Sequence, residues 1–409
     1  MNGRNAPLIP VEEARNRIIA AMDPTPVETV SLAHALNRVL AVDVAARVTQ
    51  PPTAVSAMDG YAVRAEEIGE VPVRLKQVGE APAGSAFSGE VKTGETVRIF
   101  TGGPLPQGTD TIVIQEHTST EGDWITIEKP TKAGNYVRQA GLDFRKDEVG
   151  VSAGSLLTPR SIGLAAAMNV PWLEVRCRPR VALLATGDEI VRPGDPIAEN
   201  QIVSSNTLAM AAFLRAHGAE PIDLGIADDN RQSLTTMVKG IRGADLLVTM
   251  GGASVGDHDL VRTVLGERGL EVDFWRIAMR PGKPLMFGSI DDVPMIGVPG
   301  NPVSSLVCAL IFVLPAVNAL LGLENPQTRM TRVAILGTDL PSNDEREDYL
   351  RASLTNDPDG NQVVKPYPKQ DSSMLSLFSK ADCLAIRPAN APPAKAGDRI
   401  TIIELAQAL

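Results

Sequence analysis

The stretch Arg180-Val181-Ala182-Leu183-Leu184-Ala185-Thr186-Gly187-Asp188-Glu189 decides the fold class. Its apolar run, 181–185, reads as a strand covered on both faces, and Gly-Asp-Glu breaks it. The chain then alternates. Residues 206–217 carry an apolar helical pattern stopped by Gly218, 221–226 read as a strand, 232–241 as a helix and 245–250 as an apolar strand. Strand, helix and strand in alternation predict a parallel, doubly wound sheet. Strands at 272–278, 284–287 and 295–298 continue it, and an apolar helix after Pro302 closes the unit.

Outward from this unit the pattern changes. Toward the N-terminus, 161–168 reads as a helix. Before it, 46–147 holds short strands (73–75, 96–99, 111–114 and 124–127) between many Gly and Pro breaks, which predicts a β-rich block. Residues 10–21 read as a helix, with Glu12 and Glu13 in the first turn, where negative charge suits the helix dipole. Residues 31–40 read as a second helix, so the β-rich block is expected to be inserted into a helical region. Beyond 331 strands and turns return, which predicts a small C-terminal β domain.

The chain has 409 residues, too many for one core, and a formal net charge of -10 spread along its length. That balance argues against nucleic acid as the main partner but leaves room for small anions in a local basic pocket. Cys177, Cys308 and Cys383 are far apart and odd in number, so neither a disulfide framework nor a zinc motif is expected, and a reducing cytoplasm fits. Residues 1–10 hold no apolar stretch of signal-peptide length. The uncharged run 306–323 reaches the lower limit of spanning length but lacks basic anchors beside it; it is read as a buried helix, and no membrane partner is expected.

In open α/β sheets, ligands sit beyond the carboxyl ends of the strands. There the chain carries Thr186-Gly187-Asp188-Glu189, Gly251-Gly252-Ala253-Ser254-Val255-Gly256-Asp257-His258-Asp259 and Pro299-Gly300-Asn301-Pro302-Val303-Ser304-Ser305. Glycines let backbone N–H groups approach phosphate oxygens, and Asp or Glu beside them offers hard ligands for Mg2+. One such loop is an ordinary tight turn; three at one sheet predict a phosphate site. Arg276, Arg280 and Lys283 flank a turn stiffened by Pro281 and Pro284, and read either as a solvated face or as an oxyanion clamp. His34, His117 and His217 have no partner at metal or triad spacing, and His258 is expected to hydrogen-bond or face solvent. No P-loop, Gly-x-Ser-x-Gly, Cys-x-x-Cys or His-Glu-x-x-His motif occurs.

The chain carries, in order, Ser56-Ala57-Met58-Asp59-Gly60-Tyr61-Ala62, Phe100-Thr101-Gly102-Gly103-Pro104-Leu105-Pro106, Ala185-Thr186-Gly187-Asp188-Glu189, Gly251-Gly252-Ala253-Ser254-Val255-Gly256-Asp257, Arg280-Pro281-Gly282-Lys283-Pro284 and Pro299-Gly300-Asn301-Pro302-Val303-Ser304. This ordered set resembles the bacterial molybdenum-insertase family, itself similar to the plant insertase domain and to the C-terminal domain of gephyrin. The set spans nearly the whole chain.

The resemblance implies a multidomain α/β protein. An elongated helical or mixed domain (1–45 with 147–178) would carry a β-rich insert (46–146), followed by the central α/β domain (179–326) and a small β domain (327–409). It implies a cytoplasmic homodimer that inserts molybdate into the dithiolene of adenylylated molybdopterin with Mg2+-dependent release of AMP. The adenylyltransferase and downstream cofactor-maturation proteins are further partners to expect.

Carried over by motif, Asp59, Thr101 and Asp143 form one catalytic wall, and Glu189, Asp228 and Asp259 the other, where they also hold Mg2+. Gly251, Gly252, Ser254, Gly256, Arg276, Arg280, Lys283, Pro299, Asn301 and Ser304 bind substrate; Arg351 and Ser372 bind molybdate, in a domain expected to lie away from the phosphate loops. Some relatives have lysine at 276 and 280; arginine never deprotonates, so these positions read as anion binders. Asn37 replaces a frequent glycine and tolerates the left-handed backbone. Two rivals are the adenylyltransferase that prepares this pterin, which is usually the central domain alone, and a gephyrin-like scaffold.

Overall fold

The computed structural model describes residues 8–251, 264–266, 269–327 and 331–405. At its centre is a six-stranded sheet. Arg180–Thr186 lies between Glu220–Ala227 and Leu246–Met250, parallel to both, and Val293–Val298 adds in parallel beside Leu246–Met250. Met286–Ile290 and Glu271–Trp275 complete one edge in antiparallel fashion. Alternate residues of the first strand serve opposite faces. Val181 and Leu183 join Met210 and Leu214 of helix Asn206–Ala216, whereas Ala182 and Leu184 join Leu234 and Val238 of helix Arg231–Val238. Both faces are covered, which is why 181–185 is apolar without alternation.

The long apolar helix is a core element. Pro302–Leu320 is largely buried, and Val11, Ala14 and Ile18 of helix Val11–Ala20 share its cluster. Its backbone widens into a π turn over Ala309–Val313 just ahead of Pro315, which has no N–H to give the preceding turn.

Two sequence expectations are corrected. Residues 31–40 are not a helix: strand Val27–Ser31 runs into a single 3-10 turn, Leu32–His34. Asn37 then turns left-handed at φ 59°, as its side chain permits, and Leu40 bridges to Val175. The strand foreseen at 272–278 stops at Trp275, because Arg276 adopts φ 80° and throws the chain out of the sheet. Met279–Arg280 instead pairs in parallel with Glu347 and Asp348 of the C-terminal domain.

The β-rich block is a six-stranded sheet ordered Thr111–Ile114, Gly60–Val63, Glu95–Ile99, Val73–Ala81, Trp124–Ile127 and Thr118–Glu121. The chain enters and leaves it side by side, since Val44–Ala45 pairs with Val149–Val151 and Val27–Ser31 with Trp172–Arg176. Helix Pro159–Ala167 follows the insert; Thr158 and Ser161 cap it reciprocally. At the C-terminus, Glu347–Asn356 pairs with both Gln362–Pro366 and Cys383–Arg387 and so closes a small barrel with Thr331–Leu336 and Arg399–Glu404.

Candidate functional site

The parallel strands end flush. Thr186 pairs with Ala227, Ala185 with Met250 and Met250 with Val298. Each strand therefore releases its loop at the same level. Gly251 leaves at φ 97°, and a Cβ there would sit 2.7 Å from the Thr186 carbonyl oxygen, so only glycine fits that position; a Cβ on Gly300 would lie in ordinary contact with the Gly251 Cα, at 3.6 Å. The Gly251 N–H donates to the Val298 carbonyl at 3.3 Å, and the Asn206 amide to the Gly300 carbonyl at 2.7 Å. The hydroxyls of Thr186, Thr207, Thr249 and Ser305 are buried at this end of the sheet without a hydrogen-bond partner among the described residues. Ser304 and Pro299 are buried in the same turn, and Asn301 is exposed.

Carboxylates crowd the outer side of these loops. The Asp229 N–H donates to Asp188 Oδ1 at 2.8 Å, and the Glu189 carboxylate folds back over Gly187. Burial first, then the negative charges of Asp188, Glu189 and Asp228, push the Asp229 carboxyl above its ordinary value. Glu189 and Asp228 both bear on the Asp229 carboxyl. Asp229 was not foreseen as a site residue; its signal was adjacency to Asp228 at a strand end, which an Asp-Asp-Asn turn before a helix hides as ordinary capping. Asp259, Gly252, Ser254 and Gly256 lie outside the described residues.

The C-terminal barrel reaches this site directly. Asn301 Nδ2 donates to Ser372 Oγ at 2.9 Å, and the Val303 N–H to the Ser372 carbonyl at 3.2 Å. The expectation that Ser372 lies away from the sheet loops is therefore corrected. Arg351 is buried under the same loop: Nε donates to Gln370 Oε1 at 3.1 Å and Nη1 to the Asp371 carbonyl at 2.6 Å. Gln370 returns bonds to the carbonyls of Arg351 and Tyr367, at 3.0 and 2.8 Å. It was missed in the sequence, where one glutamine carries no signal.

The basic turn divides. Arg280, half exposed, turns its fork to the protein's own groups: Nε donates to Asp348 Oδ1 at 2.8 Å, Nη2 to Asp348 Oδ2, and the same guanidinium reaches Asp344 and Asn343. The geometry is that of an interdomain clamp, where the sequence suggested an anion binder. Asp344 is held down at about 2, chiefly by its bond from Arg346 and further by the charge of Arg280. Arg276 sits at the left-handed turn, its N–H donating to the Leu285 carbonyl at 3.0 Å. The Lys283 side chain makes no hydrogen bond or ion pair with another described residue, although its carbonyl accepts from Ile277 and Leu285.

In the inserted domain, Asp59 and Thr101 form a direct pair. The Thr101 N–H and hydroxyl donate to Asp59 Oδ1 at 2.7 and 2.8 Å. These two bonds, then the charge of Arg98, hold the Asp59 carboxyl below the usual range. Asp143 lies on a separate turn, its N–H donating to the Gln50 carbonyl at 3.0 Å, and no bond among the described residues joins it to Asp59 or Thr101. His217 caps helix Asn206–Ala216, bonded to the Phe213 carbonyl, and His34 bonds to Ser31, so both serve local structure.

Comparison with known proteins covers almost the whole chain. Residues 9–169 match the MoeA N-terminal region (domain I and II), 182–319 a probable molybdopterin binding domain, and 333–405 the MoeA C-terminal region (domain IV). A relative from Haemophilus influenzae, named molybdopterin molybdenumtransferase, is 33% identical across 97% of this chain and 98% of its own length. One of the same name from Nostoc is 35% identical across 92% of this chain and 88% of its own. Two crystal structures of a molybdopterin biosynthesis MoeA protein from Pyrococcus horikoshii superpose with TM-scores of 0.82 and 0.85, at 30% and 25% identity, each over 97% of this chain and nearly all of its own. With three family regions in order and full-length relatives above 30% identity, the chain belongs to the MoeA family of molybdenum-cofactor biosynthesis.

Proposed function

We propose that this protein is a molybdopterin molybdenumtransferase that joins molybdate to the dithiolene of adenylylated molybdopterin and releases AMP. The observation that carries the reading is the meeting, at one level, of glycine loops, four crowded carboxylates and the Ser372 loop of the barrel. The glycine loops suit a phosphate-bearing ligand, and the buried hydroxylic side chains beside them favour a polar one. Molybdate is a tetrahedral dianion, for which Ser372, Lys283 and the backbone of these loops are suitable donors. The pterin brings its own thiolates, so no protein cysteine is needed; Cys308 is fully buried and the Cys383 thiol is pushed up to about 12 by burial.

The donor set fits Mg2+. Asp188, Glu189, Asp228 and Asp229 are hard oxygen donors; burial first, and then the charges of the other three, raise the Asp229 carboxyl, and a divalent cation would offset the repulsion among them. Among the described residues no three such groups already converge as a closed metal nest. We propose that one or two of these carboxylates would hold the metal together with substrate phosphates. When bound, Mg2+ neutralises charge on the phosphoanhydride. Glu189 and Asp228 would hold it, and the remaining carboxylates would orient the attacking water. Asp59, braced by Thr101, keeps its Oδ2 clear of bonds to described residues and can face the substrate from the other wall.

We further propose a homodimer in which the Asp59–Thr101 wall of one subunit faces the sheet loops of its partner, and a cytoplasmic location, which three unpaired cysteines suit. An adenylyltransferase would use the central domain alone; the Asn301–Ser372 bond, which makes the barrel part of the site's edge, favours the insertase.

The test supplies purified protein with adenylylated molybdopterin, molybdate and Mg2+, and asks whether the product activates a cofactor-free molybdenum enzyme. Activation is expected with the native chain. Asp228→Asn is expected to need roughly tenfold more Mg2+ or worse, the usual scale for disturbing a metal's surroundings. A product that never activates the recipient would refute the assignment.

A further inference from the structure

Arg98 stands on strand Glu95–Ile99, directly opposite Tyr61 across the antiparallel pair, and Phe100 follows two residues later on the same face. The Arg98 guanidinium lies over both rings, 5.0 Å from the Tyr61 centroid and 5.2 Å from that of Phe100. Its Nη2 donates to Gln115 Oε1 at 2.6 Å and its Nη1 to the Gly60 carbonyl at 3.4 Å. The Gln115 N–H in turn donates to the Asp59 carbonyl at 3.2 Å. Arg98 therefore grips the residue after Asp59 and the residue that holds the Asp59 backbone. The strand cannot back away, because Gly60 packs so close to its neighbour that a Cβ would sit 2.0 Å from the Val113 carbonyl oxygen.

We propose that Arg98 is a positioning residue for the Asp59–Thr101 pair: laid over Tyr61 and Phe100, it fixes the Asp59 backbone through Gln115 and Gly60 and sets its positive charge beside the carboxylate. A stacked, half-buried guanidinium is attracted to ring faces, which lowers the cost of holding a charge at one place. The charged or titratable groups on the elements packed around Asp59 are Glu95 and Arg98 on their strand, Tyr61 on its own, and Glu116 and His117 on the short helix Gln115–His117. Of these, Arg98 supplies the charge that acts on the Asp59 carboxyl. The role rests on the reading of Asp59 as a site residue.

The test compares native protein with Arg98→Met and Arg98→Lys. Met keeps an apolar stem over the rings and removes the charge and both donors; Lys restores the charge. Two signals are followed across pH: AMP release, and the Asp59 carboxyl resonance by carbon NMR. A neighbouring cation favours the ionised form, so its loss raises the carboxyl pKa. Arg98→Met is expected to move the Asp59 titration, and the acid limb of kcat, to higher pH, with a larger fall in kcat than rise in KM. Arg98→Lys is expected to return the titration toward the native position. If Arg98 only stabilises the sheet, Arg98→Met lowers the melting temperature and leaves both profiles in place, which overturns the proposal. If the native protein releases no AMP, the functional reading fails, and the NMR titration still decides the role of Arg98.

Discussion

Arg351 illustrates how one side chain changes meaning between sequence and structure. By motif it reads as a ligand for the oxyanion. In the fold it is buried, and two of its nitrogens hold Gln370 and the Asp371 carbonyl beneath Ser372. Removing it leaves two partly buried acceptors without their charged donor, a loss of about 1.5–3 kcal/mol. Arg351→Ala should therefore lower stability in urea unfolding by that amount. Because Ser372 bonds to Asn301, the damage should also reach the phosphate loop, so calorimetric titration should show weaker binding of both molybdate and adenylylated pterin. Selective loss of molybdate alone, with native stability, would restore the simpler picture of Arg351 as a direct ligand. The place of Glu189 at a strand end was legible, because the apolar run 181–185 breaks at Gly-Asp-Glu; Asp228 came only from the family resemblance. The pairing of Arg280 was not legible: its partner Asp348 is 68 residues away in sequence, and spacing cannot reveal a fork that closes across domains.

At the level of elements, the parallel strands and their helices were readable because burial on both faces leaves a continuous apolar run. Residues 31–40 misled for a related reason. Leu32, Ala35, Leu36, Val39 and Leu40 recur with helical spacing, yet Val39 and Leu40 are buried by bridging to Leu156 and Val175. Tertiary contacts overrode the local period.

The junction between sheet domain and barrel was likewise invisible. It combines the short parallel pairing of Met279–Arg280 with the Arg280–Asp348 ion pair, whose Asp348 side chain is only 7% exposed. Arg280→Ala would remove the charged donor from that carboxylate; with Arg280 itself half exposed, the loss is about 1.5–3 kcal/mol, the scale of a hydrogen bond to a charged group. Limited proteolysis should then cut between the domains faster than in native protein; an unchanged cleavage rate would mean the strand pairing alone holds them. Asp344, whose pKa is lowered, contributes to this junction above the ordinary carboxylate range, and its contribution fades as pH falls through about 2. The junction should persist in moderate acid.

At the scale of the whole molecule, the proposed site draws on an acidic, glycine-bearing sheet domain and on the barrel, and the inserted domain carries the Asp59–Thr101 pair. The multidomain α/β class was legible from the switch between apolar runs and Gly-punctuated short strands. How the barrel docks was not, because it depends on single contacts such as Asn301 to Ser372.

The central claim is that this site couples molybdenum insertion to cleavage of the adenylylated pterin. The most direct measurement is the stoichiometry of AMP released to molybdenum bound on the pterin, followed in one reaction as molybdate is titrated. The account predicts one AMP per molybdenum inserted and negligible AMP without molybdate. AMP release that is equally fast without molybdate, or molybdenum bound with no AMP released, would contradict it.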